Sequence, residues 1–347
     1  MIALLLFLQT TQPCQVPGLA ALAQCGSLRV LENRERQDGK RITIRFALVP
    51  ATSATARQAA QVPIVLLPGG PGGDIIRQAA AWTELLGSVR SSHPLLFVDP
   101  RGTGESDALH CELAAEPARV VTHVRDFLPI EQVRACRREL EKRADLTQYT
   151  TEAIAKDLDE VRAALGFERV ILFGTSGGTR QALIYHKRHR RRVEALILSG
   201  MVPLEFRMPM HYAPDAQAAF DSLARSCATD QECARSFPDL RRDFESVLAA
   251  LRREPKSVEV NLPSGVDTAI VTRGIFAERI RTLLYNSESA AQAPYVISRA
   301  ARDDFAPFIQ VMIPGLRPQR RPIVAMGHFL SVTCAEDVPR IAPDSAA

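Results

Sequence analysis

The 347-residue chain is 46% hydrophobic, 24% charged and 6% aromatic, ordinary proportions for a globular protein able to bury a large core. Its formal charge of +4 excludes the concentrated basic footprint of a nucleic-acid binder. The densest basic run, His186-Lys-Arg-His-Arg-Arg-Arg192, reads as the solvated C-terminal end of a helix, where cations complement the macrodipole.

From the N-terminus, Ile2-Ala-Leu-Leu-Leu-Phe-Leu8 is apolar but too short to span a bilayer. It fits either the apolar region of an export signal or a first element of the fold. A basic n-region and an Ala-x-Ala cleavage site are lacking. Residues 1–24 are therefore set apart as an export segment and N-terminal extension. Leu28–Glu32 and Ile42–Val49 read as strands around a Gln37-Asp-Gly-Lys40 turn, the second alternating as a half-exposed strand does. Pro63–Leu67, Pro94–Val98, Val170–Phe173 and Ala195–Leu198 are short continuous apolar runs, suited to strands buried on both faces of a parallel sheet. Between them, Thr151–Leu165 carries apolar residues at 154, 158, 161 and 165, helical spacing that stops at Gly166. This alternation predicts a doubly wound, mostly parallel α/β sheet over 25–202. From 203 to 340 the pattern is helical: Ala216–Cys227, Leu240–Arg253, Thr272–Asn286, Gln292–Asp304 and Gly327–Cys334. Residues 341–347 form a polar tail.

Seven cysteines lack the Cys-x-x-Cys pairing of zinc sites. Cys227 and Cys233 flank a short polar turn, which suits a disulfide, and three pairs would leave Cys334 over. Disulfides predict an extracytoplasmic location, secreted or periplasmic. No segment reads as membrane-spanning.

Three glycine-rich turns follow predicted strands. Gly174-Thr-Ser-Gly-Gly178 fits Gly-x-Ser-x-Gly, with a strand before it and a helix-compatible run after it. A sharp strand-to-helix turn needs small neighbours and pushes the serine hydroxyl above the sheet. Ser176 is therefore the candidate nucleophile, and the Gly177 N–H an oxyanion donor. Pro68-Gly-Gly-Pro-Gly-Gly73 offers the second donor, Gly69 or Gly70; it lacks the lysine and Ser/Thr of a phosphate loop. Asp99-Pro-Arg-Gly-Thr-Gly-Glu-Ser106 completes the set, its Asp99 and Arg101 read as structural.

In that order the three motifs resemble the proline iminopeptidase and tripeptidyl aminopeptidase group of α/β-hydrolases, over residues 25 to 341. Gln148-Tyr-Thr-Thr-Glu152, Cys227-Ala-Thr-Asp-Gln-Glu-Cys233 and Val332-Thr-Cys-Ala-Glu-Asp337 favour the longer, tripeptidyl aminopeptidase-like branch. The resemblance implies an α/β-hydrolase core with a helical cap, a serine exopeptidase acting on peptides with a free N-terminus, and no metal or organic cofactor. It also makes Glu336, with Asp337, the candidate for holding the substrate's ammonium. Gly177 departs from the family, where many relatives carry a tyrosine or other large residue; that keeps the N–H and implies a wider pocket.

A serine nucleophile needs a base, and in this fold the order is Ser, acid, His. His186 lies roughly 15 Å along the same helix, and His189 lies further. His211 and His328 fall in the helical block. The expectation is a chain that ends before the last core strands and the triad's acid and histidine, hence an inactive fragment as it stands. Alternatives are a carboxylesterase-type hydrolase or a non-catalytic fragment.

Overall fold

The computed structural model describes residues 11–53, 62–111, 128–262, 265–312 and 324–342. The apolar run Ile2–Leu8 and the tail from Pro343 lie outside the described residues.

In chain order the first elements are β1 (Thr11–Cys14), β2 (Ala23–Leu31), β3 (Arg41–Val49) and β4 (Ile64–Leu67). Next come α1 (Ala79–Leu85), β5 (Leu95–Val98), α2 (Ile130–Glu141), α3 (Thr151–Ala164), β6 (Val170–Thr175), α4 (Gly177–Arg188) and β7 (Val193–Ser199). The seven strands form one sheet in the order β1-β2-β3-β5-β4-β6-β7. β1 to β3 pair antiparallel, as does β3 with β5; β5, β4, β6 and β7 run parallel. β1 falls within the segment read as an N-terminal extension. Thr11–Cys14 instead pairs with Ala23–Cys25 and Gly26, and a disulfide joins Cys14 to Cys25. Four residues are too few for a period to show in sequence.

Two of the continuous apolar runs, in β4 and β5, are buried on both faces as expected, whereas the run in β7 is half-exposed. In β4, Ile64 and Leu66 join one buried cluster with Leu95, Phe97 and Ala47, while Val65 and Leu67 join another with Ile44, Leu158 and Leu172. Both faces of the strand are covered, so no polar alternation survives. α3 is started by the Thr150 hydroxyl, which accepts the Ala153 N–H at 3.2 Å, and is followed by Gly166 at φ +73°. β7 is the sheet's edge, and among the described residues no strand pairs with its outer side; Ile197 is 41% exposed.

The chain divides into two compact units: 1–111, 136–208 and 322–347 make one, and 112–135 with 209–321 the other. This differs from a single boundary near residue 203. The second unit holds most of α5 (Met208–Thr229), then α6 (Gln231–Ser236), α7 (Leu240–Arg253), β8 (Lys256–Leu262), β9 (Gly265–Val271), α8 (Arg273–Leu283), α9 (Ser287–Ala290), α10 (Ala293–Ala301) and α11 (Ala306–Met312). Its core is strung on phenylalanines: ring centroids lie 4.3 Å apart for Phe220 and Phe244, and 4.9 Å for Phe276 and Phe308. The antiparallel hairpin β8–β9 stands where only helices were expected. Its signal is present in sequence, since Val258 and Val260 alternate with Ser257 and Glu259.

The last helix, α12 (Met326–Val332), belongs to the sheet-containing unit. A Cβ on Gly327 would come within 2.6 Å of the Leu109 carbonyl, so the missing side chain is what lets α12 approach. Helical periodicity tells which face of a helix is apolar, not which unit that face will cover.

Three disulfides are present, Cys14–Cys25, Cys111–Cys136 and Cys227–Cys233, and Cys334 is free and exposed. Among the described residues no helix is long and apolar enough to cross a membrane.

Candidate active site

Ser176 sits at the turn between β6 and α4 with φ 50° and ψ −121°, a left-handed conformation rare for a residue with a side chain. The surroundings hold it there. Its N–H donates to the Ser199 carbonyl at 2.9 Å, and its own carbonyl accepts from the Thr179 N–H at 2.9 Å and hydroxyl at 2.6 Å. The flanking glycines are steric necessities. A Cβ on Gly174 would lie 2.6 Å from the Gly178 carbonyl oxygen, and one on Gly178 would lie 2.2 Å from that of Leu67. The serine is thereby exposed while Gly177 and Gly178 are buried.

The loop after β4 presses against this turn. Gly70–Pro71 is a cis peptide, and the Gly73 N–H closes back on the Gly69 carbonyl at 3.2 Å. A Cβ on Gly69 would lie 3.2 Å from Ser176 Cβ and 3.7 Å from its Oγ. A Cβ on Gly177 would lie 2.8 Å from the Gly70 carbonyl oxygen and 3.3 Å from its nitrogen. So the structure brings Gly69, Gly70, Ser176 and Gly177 together. It also corrects one expectation: the glycine at 177 does not open a wider pocket, because the Gly70 backbone fills the space a side chain would take.

The third turn supports the second. Asp99 Oδ1 accepts the N–H groups of Ile75 at 2.8 Å and Ile76 at 3.0 Å, directly after the glycine loop. Its Oδ2 accepts from Glu105 N–H at 3.2 Å, and burial pushes its carboxyl above the usual range. Arg101, fully buried, forks onto Asp157 and also donates to the carbonyls of Glu32 and Gln148 at 2.8 and 3.0 Å. Both residues are structural here, as read from the sequence.

Glu336 and Asp337 lie on one π-helical turn, Thr333–Asp337, and converge on α4 rather than on open solvent. Asp337 is fully buried between Arg180 Nη1 at 3.0 Å and Arg340 Nη2 at 2.8 Å. Glu336 accepts the Thr151 hydroxyl at 2.8 Å and its N–H, and stands 3.7 Å from Arg180. Arg180 is one turn along α4 from Ser176. Sequence reasoning gave Arg180 no role; its neighbours Thr179 and Gln181 are polar as well, so the cation did not stand out.

Among the described residues no imidazole is hydrogen-bonded to the Ser176 hydroxyl. His189 Nδ1 faces Asp159 at 3.7 Å, at the far end of α4. His328 is buried against Gly102 and the edge of the Tyr149 ring. The Arg101 carbonyl is close by, yet neither ring nitrogen makes a well-formed hydrogen bond. Desolvation, aided by the Arg101 charge, lowers its pKa to about 4.

Residues 62–312 match the family model described as alpha/beta hydrolase fold. The chain belongs to the α/β-hydrolase fold family. It is 32% identical over 238 residues to serine protease Hip1 of Mycobacterium tuberculosis, covering 63% of this chain and 44% of that protein. It is 28% identical over 194 residues to tripeptidyl aminopeptidase of Streptomyces lividans, covering 52% and 35%. It is 26% identical over 142 residues to proline iminopeptidase of Xylella fastidiosa, covering 41% and 33%. The α/β-hydrolase chain thus spans less than half the length of these curated relatives.

Proposed function

We propose that the chain carries the nucleophile and oxyanion hole of a serine exopeptidase that removes short N-terminal pieces from peptides. The observation that carries this is Ser176 held at positive φ on a glycine turn, with the Gly69–Gly70 backbone packed against it. In the reaction, Ser176 Oγ would add to the scissile carbonyl carbon and lose its proton to a base. N–H groups of Gly177 and of Gly69 or Gly70 would stabilise the oxyanion as it forms. The C–N bond then breaks, the amine leaves with a proton, and water hydrolyses the serine ester. The three disulfides support action in an oxidising, extracytoplasmic setting.

Glu336 is the better of the two acids for a substrate ammonium. Its side chain is 20% exposed, whereas that of Asp337 is fully buried and held by two arginines. A carboxylate already accepting from Thr151 is oriented, and keeps lone pairs for a further donor. On this reading, a free-amine tripeptide binds wild type at least tenfold tighter than its N-acetylated form, and Glu336→Gln removes the difference. Equal binding of the two peptides to wild type would remove Glu336 from the substrate site.

A second reading, a non-catalytic chain, is favoured by the lack of any imidazole bonded to Ser176 among the described residues. A fluorophosphonate probe separates the two. Rapid labelling that maps to Ser176 and vanishes in Ser176→Ala supports the hydrolase. A folded wild-type protein that stays unlabelled supports the second.

A further inference from the structure

Away from Ser176, the sheet-containing unit has a cavity of about 310 Å³ lined by Arg29, Lys40, Arg41, Arg143, Asp107 and Tyr149 among others. The cations come from three places in the chain: β2, the start of β3 with the turn before it, and the segment after α2. Arg29 faces Thr43 and Leu31 faces Arg41 in the β2–β3 register, so the two arginines are diagonal neighbours on one face. Two like charges on one face of a strand pair repel each other. They are nonetheless held in place by a reciprocal pair of bonds: Arg29 Nη2 donates to the Arg41 carbonyl at 3.2 Å, and Arg41 Nη1 to the Arg29 carbonyl at 3.3 Å. Arg143 Nη2 donates to the Ala108 carbonyl at 2.9 Å.

Carbonyls orient these guanidinium groups without neutralising them. Among the described residues none of the three is paired with a carboxylate. Lys40 does have one, the buried Glu32 at 3.3 Å, and it also donates to the Arg143 carbonyl. The single acid in the lining, Asp107, already accepts the Thr43 N–H at 2.8 Å through Oδ2. Tyr149 spends its hydroxyl on Glu32 at 2.8 Å. The lining therefore sets three oriented guanidinium groups against one carboxylate, a net positive donor set that matches phosphate oxygens in a bidentate manner. The run Lys187–Arg192 is as basic, but part of its charge is already compensated, since Arg188 pairs with Glu152 at 2.7 Å.

We propose that this pocket binds a phosphate group, as the free ion or a monoester. The proposal does not depend on Ser176 chemistry. The test is a titration of the full chain with inorganic phosphate at fixed ionic strength, reading the thermal midpoint. Phosphate at about ten times its Kd should raise the midpoint by roughly 2 °C, with sodium chloride giving no such rise. Arg41→Gln/Arg143→Gln should weaken phosphate binding at least tenfold. Arg190→Gln/Arg191→Gln, which removes the same charge from the helix end, should leave it unchanged. Should the first double variant fail to fold, Arg143→Gln alone, an exposed position, should still weaken binding several-fold. Phenyl phosphate is the second arm: tighter binding than phosphate marks an esterified group as the occupant, equal binding the free ion. No midpoint rise beyond chloride, or equal loss in both double variants, would overturn the proposal.

Discussion

Arg101 and Asp157 form a two-pronged ion pair beneath the sheet's loops, with Nε to Oδ2 at 2.6 Å and Nη2 to Oδ1 at 2.8 Å, and side chains 0% and 3% exposed. Arg34 joins Asp157 from the β2–β3 side. Removing one partner of a buried pair leaves the other charge uncompensated, and here the carbonyls of Leu31, Glu32 and Gln148 lose their donor as well. Arg101→Ala should therefore cost about 3–5 kcal/mol in chemical denaturation. A cost below about 1 kcal/mol would mean that Arg34 alone satisfies Asp157.

The turn at Ser176 tolerates no added carbon at position 178. A Cβ there would stand 2.2 Å from the Leu67 carbonyl oxygen, a backbone atom of β4 that cannot swing aside. Gly178→Ala should cost about 3 kcal/mol or more and abolish probe labelling of Ser176 in whatever fraction stays folded. Circular dichroism melts beside probe labelling check both parts. Wild-type stability with Ala at 178 would show that β4 and the turn are not in contact.

His328 makes stability depend on pH. Its native pKa, about 4, lies below its ordinary value of 6.5, because burial disfavours the cation. Between those values the unfolded chain binds the proton and the native one does not. The contribution is therefore complete above pH 6.5 and is lost as pH falls to 4, for a total of about 3 kcal/mol. Denaturant midpoints at pH 7 and pH 4.5 should differ less in His328→Phe than in wild type. Equal slopes in the two proteins would remove His328 as the cause.

The Cys111–Cys136 bridge spans 25 residues of sequence. By loop-closure entropy, Cys111→Ser/Cys136→Ser should lose about 3 kcal/mol. Urea denaturation under oxidising conditions measures it, and wild type treated with reductant should move in the same direction.

Several parts of this molecule were legible one residue type at a time. Apolar runs gave β4 and β5 because a strand covered on both faces has no polar position left, whereas the run in β7 lies on an exposed edge. Gly174 and Gly178 gave the serine turn because backbone contacts at 2.2 to 2.6 Å admit nothing larger. Cys227 and Cys233 gave a disulfide because a short polar turn between them brings them close. The hairpin β8–β9 had a readable period of two and was passed over amid helical neighbours.

Ser176 and its glycine turn were thus determined by the sequence alone, since the constraint is local and steric. What lies around them was decided by the tertiary structure. Arg180 meets Asp337 across 157 positions and Thr151 meets Glu336 across 185. Arg29, Arg41 and Arg143 share a cavity although 102 positions separate Arg41 from Arg143. Charge and hydrogen bonding act through space over a few ångströms, and sequence spacing fixes that distance only within one helix, strand or turn.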